Sequence, residues 1–448
     1  MARQAIVPRW RRPARRATPT GSPRPWRMGR FVKLFAFLGF LGPGLIAATA
    51  GNDVGGVVTY SSDGAQFGYG FLWAMVLITV SMAVVQEMCA RMGAATGKGL
   101  SDLIRERFGV RGAAFAMLTL LVANALITVS EFAGIAAVSE LFHVSKFLAV
   151  PVAALGVWLL VTRGSYGKVE KVFLLMTLAF LAYPIAAIMA HPDWGQVLRQ
   201  TVVPTVHLSA AYLFLLIGTI GTTITPYMQL YIQSSVAEKG VTMKHYAAER
   251  ADTYFGAIFS DLISAFIIIA MGATVFVASG GVGVQITTAE QAALALTPFV
   301  GRFAPVVFGV GLVGAALLAA AVLPLTTAYA ITETFGFERG VSFSFRAAPI
   351  FNGLFTGMLA FGALVALIIP NGLLIQLMVL VQVANGVLLP ILLIFILRLV
   401  NDRRIMGRYV NGRVQNVIAW GTTGILILLS ATLVIITILS LFGVPLPQ

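Results

Sequence analysis

The chain has 448 residues, of which 58% are hydrophobic and 11% are charged, and its mean hydropathy is +0.90. Soluble domains carry about 25% charged residues, so this composition excludes a soluble globular protein and indicates an integral membrane protein. A single cysteine excludes an internal disulfide, and four scattered histidines offer no structural zinc site of the usual Cys and His spacing.

Residues 1–33 form a basic segment ahead of the first apolar run. They include no acidic residue and five prolines. Because proline interrupts helices, we predict a disordered cytoplasmic tail here, followed by a single transmembrane domain over residues 34–448.

Apolar runs of about 20 residues predict eleven transmembrane helices. They lie near residues 36–67, 70–92, 113–142, 147–163, 171–190, 209–236, 253–278, 303–332, 347–369, 372–399 and 414–442. With the N-terminus inside, 28 of the 31 Lys and Arg residues lie on the cytoplasmic side. We therefore predict a plasma (inner) membrane protein with a cytoplasmic N-terminus and an external C-terminus. The net charge of +14 then reflects topology and contact with the lipid bilayer, and we expect no nucleic-acid partner.

Two of the predicted spans are interrupted, and they occupy matching places. The first contains "GNDVGG" at residues 51–56, and the sixth contains "GTTITPYMQ" at residues 221–229, where Pro226 cannot continue a helix. These spans begin the two halves of a five-plus-five arrangement, near residues 34–190 and 205–399. Since five is odd, the second half is inverted relative to the first, as in many secondary transporters. The span near 414–442 is an additional, eleventh helix.

Asp53 is an ionisable residue in the interior of the first span. An aspartate at the bilayer centre costs roughly 2.5 to 3.5 kcal/mol on insertion scales, so something must offset its charge. No basic residue occurs in the predicted interior of any span, away from the span ends, which makes a structural ion pair the weaker explanation. A bound cation is the simpler one, and a protonated, silent acid is the alternative.

Hard oxygen donors accompany Asp53 at the two breaks. The candidate metal ligands are Asn52, Asp53, Thr223, Thr225 and Gln229, with break carbonyls and with Gln382 and Asn385 of the tenth span. Oxygen donors favour magnesium, manganese or calcium over softer metals. Met228 would soften such a site, although an apolar packing role is the better interpretation of this residue.

Several stretches together resemble the natural resistance-associated macrophage protein (NRAMP) family of divalent-metal transporters, whose fold is LeuT-like. They are "GPGLIAATAGNDVGG" with "GAQFGYGFLW", "VVQEMCARMGAATGKGLSDLIRERFG", "RGSYGKVEKVF" and "YIQSS". The resemblance covers nearly the whole chain after residue 33. It implies an all-α membrane protein with a LeuT-like five-plus-five inverted repeat plus an eleventh helix.

The departures from the family pattern concern the metal ligands. The Asp-Pro-Gly-Asn motif of the family appears as Asp53-Val54-Gly55-Gly56, so that Gly56, a candidate metal-site residue, replaces the Asn ligand. The Met-Pro-His motif best matches Thr225-Pro226-Tyr227, which lacks both the thioether and the histidine. Gln382 matches a metal-contacting position of the family.

The proton route of the family is also altered. Its acid pair in the third span appears as Thr128 and Glu131, which leaves one carboxylate. Tyr227 replaces the histidine, and tyrosine does not ionise near neutral pH. Glu131 and Tyr227 are the candidate proton-route residues, and a packing role for Glu131 is an equal alternative.

This pattern resembles the NRAMP-related magnesium transporters. It predicts alternating-access import of Mg²⁺ and Mn²⁺ with relaxed selectivity, weak or absent proton coupling, and no cofactor beyond the transported cation. The alternatives are a proton-coupled Mn²⁺/Fe²⁺ transporter of the ordinary NRAMP type, a LeuT-fold amino-acid transporter and a channel. No HExxH or GxSxG motif suggests an enzyme.

Overall fold

A computed structural model describes residues 52–162, 178–207, 209–338, 340 and 344–441. Every regular element within these ranges is helical. The predicted tail over residues 1–33 and the first half of the first predicted span lie outside the described residues.

Thirteen helices of eight or more residues occur in the described ranges. They are α1 (Val54–Phe67), α2 (Leu72–Thr96), α3 (Leu100–Leu141), α4 (Lys146–Thr162), α5 (Ala182–Met189), α6 (Trp194–Val202), α7 (Ala210–Thr223), α8 (Pro226–Glu238), α9 (Tyr246–Met271), α10 (Ala304–Phe335), α11 (Pro349–Ile368), α12 (Leu374–Val400) and α13 (Arg413–Leu441). Eight helical segments of this part of the chain are long and apolar enough to cross a membrane.

The observed helices follow the predicted spans, with two main extensions. Helix α3 begins at Leu100 rather than near residue 113, and α9 begins at Tyr246 rather than near residue 253. Both added segments are polar and helix-compatible, so hydropathy alone misses them. Gly109, with φ 70°, interrupts α3 where the polar segment meets the apolar span, a conformation that favours glycine.

The loop after the fifth predicted span contains α6, an amphipathic helix that hydropathy did not predict. Asp193 caps it by accepting hydrogen bonds from the Gly195 and Gln196 backbone N–H groups at 2.9 and 3.2 Å. Of the fifth predicted span itself, only residues 178–190 lie in the described ranges.

The second predicted interruption is present, and the first lies at the edge of the described residues. Helix α1 starts only at Val54, with Asp53 in an extended conformation at φ −67° and ψ 177°. Helix α7 ends at Thr223, and α8 resumes at Pro226. Proline fits the first position of a helix because the N–H that it lacks would have no partner there.

Helix α1 lies at the centre of the helical packing. It contacts α3, α7, α9 and α12, while α3 in turn packs against α10, α11 and α12. Helix α13 packs against α2, α7 and α12 and exposes most of its apolar side chains. The interrupted helices are therefore enclosed by protein, as backbone without helical hydrogen bonds requires in a membrane.

Candidate metal-binding site

Asp53 caps the start of α1 with one carboxylate oxygen and leaves the other free. Its Oδ1 accepts a hydrogen bond of 2.7 Å from the Gly56 backbone N–H. Its Oδ2 is buried and has no hydrogen-bond partner among the described residues, and the residue is 2% exposed. The helix N-terminus favours the negative charge, so half of this carboxylate is stabilised by backbone and half is available to a ligand.

No ion pair in the described ranges neutralises Asp53. The ion pairs found there join Glu87 to Arg91, Glu106 to Lys98, and Asp402 to Arg107. Among the described residues, no Lys or Arg therefore compensates the charge of this acid.

The break between α7 and α8 presents two further free oxygens. Ile224 leaves the helical conformation at φ −110° and ψ 62°, and Thr225 is extended. The hydroxyl of Thr225 and the amide oxygen of Gln229 are buried and have no hydrogen-bond partner among the described residues. Gln229 Nε2 makes a long 3.5 Å contact to the Thr225 carbonyl, which holds its side chain beside the break.

Tyr60 joins α1 to the end of α7. The Thr223 hydroxyl donates to the Thr219 carbonyl at 2.7 Å, so the Tyr60 hydroxyl, 2.8 Å from Thr223 Oγ1, is the donor in that pair. A threonine hydroxyl has one proton and two lone pairs. Thr223 therefore keeps one lone pair for a further contact, which makes it a weaker candidate ligand than Thr225.

Helix α12 contributes two side-chain amides, those of Gln382 and Asn385, near the two breaks. Gln382 lies so close to α1 that a Cβ at Gly55 would collide with its Nε2 atom. This Nε2 atom has no partner among the described residues, while Gln382 Oε1 accepts a 3.3 Å hydrogen bond from Asn385. The Asn385 amide oxygen is also buried and without a partner there, so α12 supplies polar groups from two positions one helical turn apart.

Close backbone approach makes this arrangement possible. A Cβ at Gly221 of α7 would collide with the Gln382 carbonyl and the Gly386 backbone N–H of α12. The glycines of the two predicted breaks thus serve helix packing as well as local conformation.

Asn52, expected among the ligands, has both of its amide atoms engaged elsewhere. Its nitrogen donates to Ser260 Oγ at 3.1 Å, and its oxygen accepts from Ser264 Oγ at 3.0 Å. These contacts clamp the start of α1 to α9. Gly56, the other candidate beside Asp53, contributes its N–H to the Asp53 cap. In this conformation neither residue directs a free side-chain atom at the breaks.

The candidate proton-route residues lie beside Asp53. Glu131 is fully buried, and its carboxylate interacts electrostatically with Asp53 and with the Val54 backbone N–H at the start of α1. Tyr227 is buried and interacts electrostatically with both acids. Thr128, in contrast, donates to the Asn124 carbonyl of its own helix at 2.7 Å.

The sulfur of Met228 contacts another side chain, which argues against a role as a soft metal ligand. Its sulfur accepts a 3.9 Å contact from Gln86 Nε2 of α2, and the residue is fully buried. The donors gathered at the breaks are accordingly oxygens. No group of three or more His, Cys, Asp or Glu residues within the described part of the chain can hold a metal ion, so any ligand set must rely on amide, hydroxyl and backbone oxygens beside Asp53.

Tyr60, Ser260 and Ser264 position the site and were not singled out in the sequence. Tyr60 follows Asp53 by seven residues, about two helical turns, so helical periodicity could have placed it on the same face. Ser260 and Ser264 are spaced by four residues on α9, which also marks one face. Their partner on α1, however, depends on tertiary packing.

Comparison with known families decides the relationship. The family model described as natural resistance-associated macrophage protein-like (Nramp) matches residues 44–436. The chain belongs to the Nramp family. Its similarity to the divalent metal cation transporter MntH of Klebsiella pneumoniae is 28% identity over 420 residues, 91% of this chain and 96% of MntH. The MntH of Yersinia pestis is 32% identical over 289 residues, 62% of this chain and 69% of that protein.

Solved structures share the fold of this Nramp protein. A mutant of the Eremococcus coleocola manganese transporter superposes with a TM-score of 0.69 at 20% identity, covering 95% of this chain and 91% of that one. Mhp1 in an inward-facing conformation gives a TM-score of 0.56 at 15% identity, covering 88% and 89%. The predicted all-α, LeuT-like fold is thereby confirmed.

Proposed function

We propose that the protein is a secondary transporter that imports divalent metal cations, Mn²⁺ and Mg²⁺, by alternating access around Asp53. Membership of the Nramp family supports this proposal, as do relatives named divalent metal cation transporters and a structural neighbour named a manganese transporter. In such folds the two interrupted helices hold the substrate near the bilayer midplane, and one helix bundle rocks against the other.

The free Oδ2 of buried Asp53 is the observation on which the proposal depends. Unpartnered oxygens of Thr225, Gln229 and Asn385 and the adjacent Gln382 amide accompany it, from helices α8 and α12. Buried polar atoms without partners are rare and expensive. A cation bound among them would satisfy these oxygens and neutralise the carboxylate at once. For Asn52, Gly56 and Thr223 a ligand role stays a proposal for another step of the transport cycle.

Relaxed selectivity follows from the character of these donors. Oxygen ligands suit Mg²⁺ and Mn²⁺ alike, whereas a thioether would favour softer ions, and the Met228 sulfur contacts Gln86 instead. Mg²⁺ gives up water reluctantly and prefers sites in which it stays partly hydrated, and amide and hydroxyl oxygens can also hydrogen-bond such water molecules.

The membrane potential supplies enough driving force without protons. Moving two charges inward gains about 4.6 kcal/mol per 100 mV, twice the value for one charge. Because tyrosine stays neutral near physiological pH, Tyr227 cannot relay protons as a histidine does. We therefore propose weak or absent proton coupling.

Uptake into proteoliposomes tests the proposal. Mg²⁺, Mn²⁺ and Ca²⁺ uptake is measured under a fixed membrane potential with a pH-sensitive dye inside, for the intact protein, for Asp53→Ala, and for Glu106→Gln, an exposed acid, as the control. We expect uptake of Mn²⁺ and Mg²⁺ without acidification, a loss of at least about 100-fold in Asp53→Ala, since a lost charged ligand costs about 3 kcal/mol or more, and no change in the control.

Selectivity, site and substrate class can each be refuted separately. Exclusion of Mg²⁺ would refute relaxed selectivity, and uptake by Asp53→Ala at the intact rate would refute the site itself. Uptake of amino acids in place of metals would favour the alternative substrate class, although the Asp53 carboxylate would repel their carboxylate.

A proton-coupled Mn²⁺/Fe²⁺ transporter is the second candidate. The specific observation in its favour is Glu131, whose buried carboxylate forms none of the ion pairs in the described residues and interacts with Asp53. Acidification that accompanies uptake, and that Glu131→Gln abolishes, would decide for this candidate.

A further inference from the structure

An apolar groove of about 130 Å³ lies between α2, α7 and α13. Its lining residues fall between residues 73 and 81 of α2, between 216 and 224 along α7 and its end, and between 422 and 429 of α13. At 1.5 Å per residue, each of these stretches is about 10 to 12 Å long. The groove is therefore elongated along the three helices.

The lining of the groove offers hydrocarbon to a ligand. Ten of its twelve residues are apolar and none is charged. The other two, Ser81 and Thr422, hydrogen-bond each other at 2.8 Å, and Ser81 donates to the Leu77 carbonyl at 2.9 Å. The indole N–H of Trp73 donates to the Thr205 carbonyl at 3.2 Å. Since these polar groups already have partners, the groove suits an apolar guest, and an apolar cavity of about 150 Å³ stays dry and binds hydrocarbon.

The groove is continuous with the lipid-facing surface of the protein. Helices α2, α7 and α13 all belong to segments that are long and apolar enough to cross a membrane. Leu77 of α2 and Ile425 of α13 line the groove and are each 57% exposed, whereas Ile78 and Ile220 are 6% and 7% exposed. Exposed apolar side chains of a membrane span contact lipid tails, which are as apolar as leucine. An acyl chain is therefore the molecule that adjoins the opening.

The groove also reaches the break between α7 and α8. Ile224, which lines it, is the residue at which the chain leaves the helical conformation of α7. The next residue is Thr225, whose hydroxyl is one of the free oxygens of the candidate metal site. Trp73 lies in the first turn of α2, where tryptophan is typical of the membrane interface, and breaks in this fold lie near the midplane. The groove thus follows most of one leaflet, whose hydrocarbon is about 15 Å deep.

We propose that this groove binds one unbranched lipid acyl chain, and that the bound chain holds the break between α7 and α8 in the conformation described here. A chain in the groove packs against Ile224, and an empty groove would leave that side chain without those contacts. An elongated groove between helices accepts a linear chain more readily than one with methyl branches. The effect on metal binding rests on the proposed function, because Thr225 and Gln229 belong to the proposed site.

Fluorescence quenching by brominated acyl chains tests whether a chain occupies the groove. The full-length protein is reconstituted in phosphatidylcholine with an increasing fraction of chain-brominated lipid. The signal of Trp73 is obtained by difference from Trp73→Phe, and that of Trp420 from Trp420→Phe. Trp420 is 42% exposed on α13 and lies outside the lining. We expect the Trp73 signal to fall linearly with the brominated fraction, as one occupying chain requires, and the Trp420 signal to fall more steeply, as contact with several chains requires.

Mn²⁺ affinity in two lipids tests the coupling to the break. Calorimetry measures the Kd in nanodiscs of two phosphatidylcholines whose chains differ only in methyl branching. We expect the Kd to be about fivefold higher in the branched lipid, the lower end of common coupling between two sites. Leu77→Trp places a bulky ring at the opening and should remove the difference. Leu364→Trp, equally exposed at 57% on α11 and outside the lining, should keep it.

Absent quenching of Trp73, or a quenching curve identical to that of Trp420, would overturn the acyl-chain site. Equal Kd values in the two lipids, or equal lipid dependence in Leu77→Trp and Leu364→Trp, would overturn the coupling. Failure of the intact protein to bind Mn²⁺ in either lipid would instead refute the proposed metal site. The quenching measurement involves no metal and would still decide the occupancy of the groove.

Discussion

At the scale of single residues, the geometry of the candidate metal site depends on the contact between Gly55 and the Gln382 side chain. The absence of a side chain there gives room to the Gln382 amide, which would otherwise collide with a Cβ. The colliding atoms are the far end of a flexible side chain, so the protein can respond by moving Gln382 rather than its helices. Position 55 therefore controls the placement of a candidate ligand without touching the metal.

Gly55→Ala should weaken metal binding while leaving the fold intact. Displacing the Gln382 side chain from its rotamer costs on the order of 1 kcal/mol, which corresponds to about a five- to tenfold rise in the Kd for Mn²⁺. Titration calorimetry on the purified variant measures this Kd. Gly357→Ala is the matched control, because no atom lies within 4 Å of a Cβ there. Equal affinity of the two variants would contradict the assignment of Gln382.

At the scale of helices, the break between α7 and α8 depends on Pro226. Proline occupies the first position of α8, where its missing N–H costs nothing, and it prevents α7 from continuing into α8. The conformations of Ile224 and Thr225 follow from this restriction. Without it, the intervening residues could form helical hydrogen bonds.

Pro226→Ala should reduce Mn²⁺ uptake at least tenfold with little loss of stability. Each helical hydrogen bond gained across the break contributes about 1 kcal/mol, which offsets the lost packing, while the free oxygens of Thr225 and Gln229 turn away from Asp53. Uptake assays and thermal unfolding measure the two effects. Pro151→Ala, a proline inside α4, should leave uptake unchanged. Normal transport by the Pro226 variant would show that the break does not require proline.

At the scale of the whole molecule, a buried ion pair fastens α13 to the rest of the protein. Glu87 and Arg91 of α2 lie 3.4 Å apart and are almost fully buried. Glu87 also accepts hydrogen bonds from Tyr246 of α9 at 2.7 Å and from Gln415 of α13 at 2.8 Å. Arg91 donates to the Val410 carbonyl at 3.3 Å. One network therefore joins three helices that are distant in sequence.

Glu87→Ala should lower the free energy of unfolding by about 3 to 5 kcal/mol, because it leaves Arg91 buried without its countercharge. Thermal unfolding in detergent measures the loss. Glu106→Ala removes an exposed ion pair with Lys98, which should contribute about 0 to 1 kcal/mol. Similar melting temperatures for both variants would show that the buried network does not contribute to stability.

The sequence by itself predicted the membrane fold, the interruption at Pro226 and Asp53 as the centre of the proposed site. Hydropathy runs of bilayer length, a proline inside one span and acidic residues inside another are local properties, from which the physics of the bilayer predicts helices, a break and a polar site. The resemblance of its motifs to the Nramp family pointed to the same fold.

Tertiary structure decided which side chains meet at the site. Asn52 adjoins Asp53 in sequence yet is engaged by Ser260 and Ser264, whereas Gln382, more than 300 residues away, lies against Gly55. Hydrogen-bond partners and steric gaps depend on how helices rotate and approach one another, and single-chain periodicity does not specify this.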